Sequence, residues 1–150
     1  SLTTALNHQG MWIAQQQGVH AMTDVTGFGL LGHIKEMTMS NNLAATLSYQ
    51  QIPIAADVIT LVNARIVPDA VYKNWGAYGS DVQMLSDVPT MEAFNILSDP
   101  QTNGGLLIAV AANDAATFEA AYVAQFQQDI FKIGAFTNAV VEQKIITVQS

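Results

Sequence analysis

Leu2, Leu6 and Ile13, apolar at intervals of four and seven, predict an opening helix that ends near Gly18. VHAMTDV, 19–25, predicts a short strand closed by the glycines after it. From Phe28 to about Met39, Leu30, Leu31, Ile34 and Met37 return at helical spacing, with Lys35 and Glu36 left for the wet face. Asn41-Asn42 is a stop signal, and LAATLSY, 43–49, predicts an extended segment. Ala55, Val58, Ile59 and Val62 follow the i, i+3, i+4, i+7 pattern, so 55–64 should be helical. Pro68-Asp69 is a helix start, although Gly76 and Gly79 should interrupt that helix. Met91, Phe94 and Leu97 share one face of a helix at 90–97, which Ser98-Asp99-Pro100 ends because the residue before proline disfavours the helical region.

Gly104-Gly105 leads into LLIAV, an apolar strand suited to the middle of a sheet. Asn113 and Asp114 are N-cap candidates for a helix burying Ala115, Phe118, Tyr122 and Phe126. Two last strands, about 130–136 and 140–148, flank Thr137-Asn138-Ala139, a hairpin turn. The sum is an α/β (α+β) domain: a mostly antiparallel sheet with helices packed on one side. No repeat, low-complexity stretch or linker divides it, so residues 1–150 are read as one domain.

Composition narrows the function classes. Half of the 150 residues are hydrophobic and 11% are charged, which argues for a folded domain and hints at apolar surface meant for another domain or subunit. The net charge of −7 leaves five basic residues, Lys35, Arg65, Lys73, Lys132 and Lys144, scattered along the chain. No basic patch neutralises a phosphate backbone, so nucleic-acid binding is not expected. The acidic balance is compatible with divalent cations. The chain has no cysteine, which excludes disulfides, thiolate metal sites and a cysteine nucleophile within it and fits a reducing compartment. The longest apolar run, 106–112, is far shorter than the roughly 20 residues that span a bilayer, and no signal peptide is read at the start. The chain opens on Ser1 already in helical pattern and reads as part of something longer.

The chemistry concentrates in TDVTGFGLLGH, 23–33. An aspartate at a strand end commonly caps a turn through its own side chain, and glycines after it supply positive φ or close packing. The functional alternative is specific: Asp24, then Gly27 and Gly29, then a helix, sets a hard carboxylate beside backbone N–H groups. Magnesium takes one or two carboxylates with water and substrate phosphates, and phosphate suits a glycine turn at a helix N-terminus. The order G-x-x-x-x-G-K-[ST] is absent. G-F-G-L-L-G matches a dinucleotide fingerprint only in part, because Glu36 and Asp57 stand at the wrong distance for its acidic residue.

GVHAMTDVTGFGLLGHIKEM, 18–37, closely resembles a signature of the selenophosphate synthetases (selenide, water dikinases), members of the aminoimidazole ribonucleotide synthetase superfamily. SDPQTNGGLLIAV, 98–110, resembles a second signature of that family, and RIVPDAVYKN, 65–74, is close to its GIVPxxxxxN. The resemblance implies most of the C-terminal domain of a two-domain, homodimeric, cytoplasmic enzyme that makes selenophosphate from selenide, ATP and water, releasing AMP and phosphate. It implies that Asp24 is a metal ligand holding Mg2+ on the ATP phosphates, with Thr23, Thr26, Gly27 and Gly29 as the cofactor-binding scaffold that aims it. The family's mobile glycine-rich loop, its reactive cysteine or selenocysteine, its lysine and most of its ATP site belong to the N-terminal domain. None is found here and the first part of the C-terminal domain is expected to be cut away, so the chain alone should be inactive. Met22 stands where the family usually has a small residue or cysteine, and Asn103 where it has serine. Neither departure touches the carboxylate.

His8, His20 and His33 lack metal-ligand spacing; His20 and His33 flank the aspartate loop and are candidates for a supporting hydrogen bond. Asp99 with Gly104-Gly105 is a domain-interface candidate, and Trp12, Trp75 and Tyr78 read as core or interface packing. Two rival functions stay open: a non-catalytic binding or assembly module of the same fold, and another ATP-using enzyme of the superfamily with a different acceptor.

Overall fold

The computed structural model describes residues 9–140 and 143–150. Helices α1 (Gly10–Ile13), α2 (Gly29–Met39), α3 (Ala56–Asn63), α4 (Ala70–Tyr78), α5 (Thr90–Leu97) and α6 (Ala115–Phe126) alternate with strands β1 (Val19–Asp24), β2 (Leu43–Ser48), β3 (Val82–Met84), β4 (Leu106–Val110), β5 (Gly134–Asn138) and β6 (Ile146–Gln149). The mixed α/β class is as expected. Of the opening helix, Leu2 and Leu6 lie outside the described residues, as does His8; Ile13 is fully buried.

β1 and β4 form an antiparallel ribbon in which Asp24 stands opposite Leu106. The other four strands form one sheet in the order β3-β6-β2-β5. β5 joins β2 antiparallel, while β6 runs parallel to both β2 and β3, so this sheet is mixed. The expected terminal hairpin is corrected. β5 and β6 lie on opposite sides of β2, and Thr137 and Asn138, read as turn residues, are inside β5 opposite Ala44 and Leu43. Local turn chemistry loses here to burial: Ala45 and Leu47 of β2 share the core with Ile146 and Val148 of β6, which a hairpin would have drawn away from them.

LLIAV is not at the centre of a sheet; β1 is its partner among the described residues. Its apolarity has another cause. The ribbon separates two cores, with Leu107 in the larger cluster and Leu106, Ile108 and Val110 against the smaller one. The larger core holds Leu31 and Ile34 of α2, Ala93 and Leu97 of α5 and the inward side chains of β2 and β6. Full burial of each such aliphatic side chain is worth roughly 1.5–3 kcal/mol, so these contacts fix α2 against β2 and β6. The smaller core is aromatic: the ring of Trp12 lies 6.3 Å from Phe118 and 5.2 Å, edge-on, from Phe126, while Tyr122 is buried beside them.

α4 begins after Asp69 and runs through Gly76 to Tyr78, so the interruption expected at Gly76 does not occur. Val71 and Tyr78 are buried and Trp75 packs edge-on to Phe94 at 5.1 Å, and this anchoring outweighs the roughly 1 kcal/mol that a helical glycine costs.

Tyr49, just after β2, donates a hydrogen bond from Oη to Glu92 Oε1 of α5 at 2.8 Å. Burial, then the hydrogen bond and charge of Glu92, hold its phenol protonated well above the ordinary tyrosine range. Tyr49→Phe keeps the ring and removes this tie between sheet and helix. It is expected to lower stability by about 1–1.5 kcal/mol, read as a lower urea midpoint at unchanged m-value.

Candidate functional site

The ribbon delivers Asp24 to its open end. Asp24 is the last residue of β1 and is exposed, as are Thr26, Gly27 and Phe28 in the turn after it. The two stretches singled out by sequence, 23–33 and 98–110, interlock there. Val25 N–H donates to Gly105 O at 2.9 Å, Gly104 N–H returns to Val25 O at 2.9 Å, and Gln101 N–H reaches Thr26 O at 3.1 Å. Asn103 Oδ1 accepts from Gly105 N–H at 3.2 Å, which braces the second loop from within. A Cβ on Gly104 would lie 2.9 Å from a methyl of Val25, so only glycine lets the loops close to this distance.

His33, one turn into α2, is buried and faces back to the turn. Its Nε2 accepts from Thr26 N–H at 3.1 Å and sits 3.3 Å from Thr26 Oγ1. An accepting Nε2 on a neutral ring places the proton on Nδ1, and Nδ1 faces Glu36 Oε2 at 3.3 Å, close but too poorly aligned for a hydrogen bond. Of the two candidates, His33 therefore makes a hydrogen bond to the turn, whereas His20 is exposed on β1. Thr23 is half-buried, with its hydroxyl 3.4 Å from Asp24 O. The N–H groups of Thr26 and Gly29 are spent inside the turn, on His33 and on Thr26 O. Gly27 and Phe28, both exposed, carry the other two N–H groups of the turn.

Sequence reasoning missed two residues of α4. Asn74, half-buried, donates through Nδ2 to Gly27 O at 2.9 Å and to Ser98 O at 3.0 Å. Tyr78, read as packing alone, donates from its buried hydroxyl to Phe28 O at 2.8 Å. A signal for Asn74 does exist in the sequence, since it closes the stretch RIVPDAVYKN.

The donor set fits a magnesium ion in a limited way. One exposed carboxylate at the end of a strand, beside an open glycine turn, suits an ion whose other ligands are water and phosphate oxygens. Among the described residues no group of three or more His, Cys, Asp or Glu side chains could hold a metal by itself. Any ion at Asp24 would draw the rest of its ligands from elsewhere.

Asp99 is half-buried behind the turn and accepts from Gln101 Nε2 at 2.6 Å. Burial holds its carboxyl above the ordinary value of 3.8, and the Gln101 bond offsets part of that. With the folded-state value raised, the stability it contributes is full below pH 3.8 and is lost as pH rises through the raised value. Asp99→Asn removes the penalty. Its melting temperature relative to wild type should therefore climb between about pH 3 and pH 7, and a flat difference would show that burial does not perturb this group.

No described helix is long and apolar enough to cross a membrane. Compared with known proteins, the chain is similar to the selenide, water dikinase of Burkholderia ambifaria, 47% identical over 109 residues, which cover 73% of this chain and 30% of that protein. It is 44% identical over 109 residues to the selenide, water dikinase of Paraburkholderia xenovorans, with the same coverage of each. That of Rhizobium meliloti is 42% identical over 113 residues, 75% of this chain and 32% of the relative. The chain thus spans about a third of the length of the curated relatives it matches. Residues 4–144 match the profile described as AIR synthase related protein, C-terminal domain, and the chain belongs to that family.

Proposed function

We propose that this domain is the C-terminal part of a selenide, water dikinase and that Asp24 is its ligand to Mg2+ on the phosphates of ATP. The observation that carries the reading is the convergence of the two motif stretches on one exposed carboxylate, in a chain 42–47% identical to proteins of that name. A bound Mg2+ would neutralise charge that shifts along the phosphates during transfer. The chain's own contribution is placement. The β1–β4 ribbon presents the carboxylate, Thr23 and Thr26 flank it, and Gly27 and Gly29 keep the turn slim enough for a phosphate to approach its backbone.

The remaining ATP contacts, and the group that handles selenide, are assigned to an N-terminal domain of the same protein. Exposed Phe28, Ile66 and Met91 are apolar surface for such a neighbour or for the second subunit of a homodimer. The chain alone is then inactive, and the whole enzyme works in the cytoplasm.

The test is to incubate the whole protein carrying this domain with ATP and Mg2+, with and without selenide. Selenide-dependent release of AMP and phosphate is expected. ATP turnover indifferent to selenide would point to a superfamily enzyme with another acceptor. No turnover at all would favour an assembly module.

A further inference from the structure

We propose that Asn74 is a positioning residue for this site: its single amide group sets the glycine turn after Asp24 against the 98–105 loop and thereby aims the turn's N–H groups. The inference deepens the reading of Asp24 as a ligand on the phosphate side and rests on it.

The amide nitrogen of Asn74 has two protons, and each serves a different loop: Gly27 O at 2.9 Å and Ser98 O at 3.0 Å. Four residues on, and so on the same face of α4, Tyr78 Oη holds the next carbonyl of the turn, Phe28 O, at 2.8 Å. Two successive carbonyls are thus gripped by one helix that is itself anchored by buried Val71 and Tyr78. The consequence lies in the peptide plane. No described peptide bond is cis, so a carbonyl drawn toward α4 points the N–H of the same peptide the opposite way. Holding Gly27 O therefore turns the Phe28 N–H away from α4. Holding Phe28 O orients the Gly29 N–H, which closes the turn on Thr26 O at 3.0 Å.

The side chains nearest to asparagine in shape or size do not do the same at this position. Aspartate has the shape but no donor and would face two carbonyl oxygens with a charge. Alanine removes both hydrogen bonds, and glutamine is a methylene too long for a gap set by a packed helix.

The experiment uses the whole protein with Asn74→Asp, Asn74→Ala, Asp24→Ala and the double variant Asp24→Ala/Asn74→Ala. Measured are the Mg2+ concentration for half-maximal ATP consumption, kcat and KM for ATP, and the melting temperature. Asn74→Asp is the variant with the conserved shape. It should raise the Mg2+ midpoint or lower kcat about 10-fold or more at a temperature well below its own melting, the scale seen when groups that orient metal ligands are removed. In the Asp24→Ala background, loss of the Asn74 amide should cost far less, since two residues acting through one site are not additive. Two results overturn the proposal while leaving Asp24 in place. One is normal kinetics in Asn74→Asp; the other is a loss that is the same with and without Asp24 and follows the melting temperature. Unchanged kinetics in Asp24→Ala itself would sink the metal reading, and the role of Asn74 with it.

Discussion

Asp24→Ala in the whole protein is expected to lower kcat for ATP consumption by about 100-fold or more, the scale on which charge-stabilising groups act at a reacting centre. The reason lies in where the residue stands. Asp24 ends β1, is exposed, and is flanked by loops that interlock through backbone hydrogen bonds beside it. Those bonds run between main-chain atoms of residues 25–26 and 101–105, so removing the carboxylate leaves them intact. If the carboxylate served the turn alone, its loss would cost stability on the order of 1 kcal/mol and leave kcat alone. The two roles separate in one experiment: kcat, the Mg2+ dependence and the melting temperature of Asp24→Ala and Asp24→Asn, with Asp57→Ala on the exposed first turn of α3 as reference. A large fall in kcat and an Mg2+ midpoint shifted upward are expected for both Asp24 variants at temperatures where they remain folded. A lower melting temperature with normal kcat would return Asp24 to a structural role.

Much of this frame was legible because it is written in short-range pattern. The spacing of Leu30, Leu31, Ile34 and Met37 located α2, and Leu31 and Ile34 are indeed buried on the sheet side. Phe118 and Tyr122 likewise marked the inner face of α6. What periodicity lacks is the identity of a partner. Nothing near Thr137 or Ile146 says that β2 will insert between β5 and β6, because that choice is made by side chains about 100 positions away in the chain. LLIAV shows the same limit in reverse: an all-apolar strand implies two buried faces, and whether helices or a second core cover them is a tertiary fact. At the site, the carboxylate and glycines could be read directly. His33 and Asn74 could not be assigned their partners, since Thr26 N–H and the carbonyls of Gly27 and Ser98 are backbone groups that every sequence possesses.

Gly29→Ala should destabilise the domain by roughly 3 kcal/mol, the sum of a left-handed alanine and a backbone clash that no rotamer relieves. Gly29 opens α2 with φ of +69°, where an L side chain is strained by about 1–2 kcal/mol. Its missing Cβ is also the reason the two loops meet. A methyl there would lie 2.9 Å from Leu97 O, 2.9 Å from the Ser98 carbonyl carbon and 3.0 Å from Asp99 O. All three are main-chain atoms at the end of α5, pinned by fully buried Leu97 and Ser98, so the glycine turn would have to give way. Gly27, two residues earlier, is the internal control: it has no positive φ and nothing within 4 Å of its would-be Cβ. Gly27→Ala is therefore expected to change stability by no more than about 0.5 kcal/mol, as surface substitutions usually do. Urea unfolding of the two alanine variants against wild type measures the contrast. Because the displacement falls on the turn that Asn74 and Tyr78 hold, Gly29→Ala should also lose ATP turnover in molecules that remain folded. Equal stability of the two variants would mean that the turn is not seated against residues 97–99, and the packing that sets Asp24 would have to be redrawn.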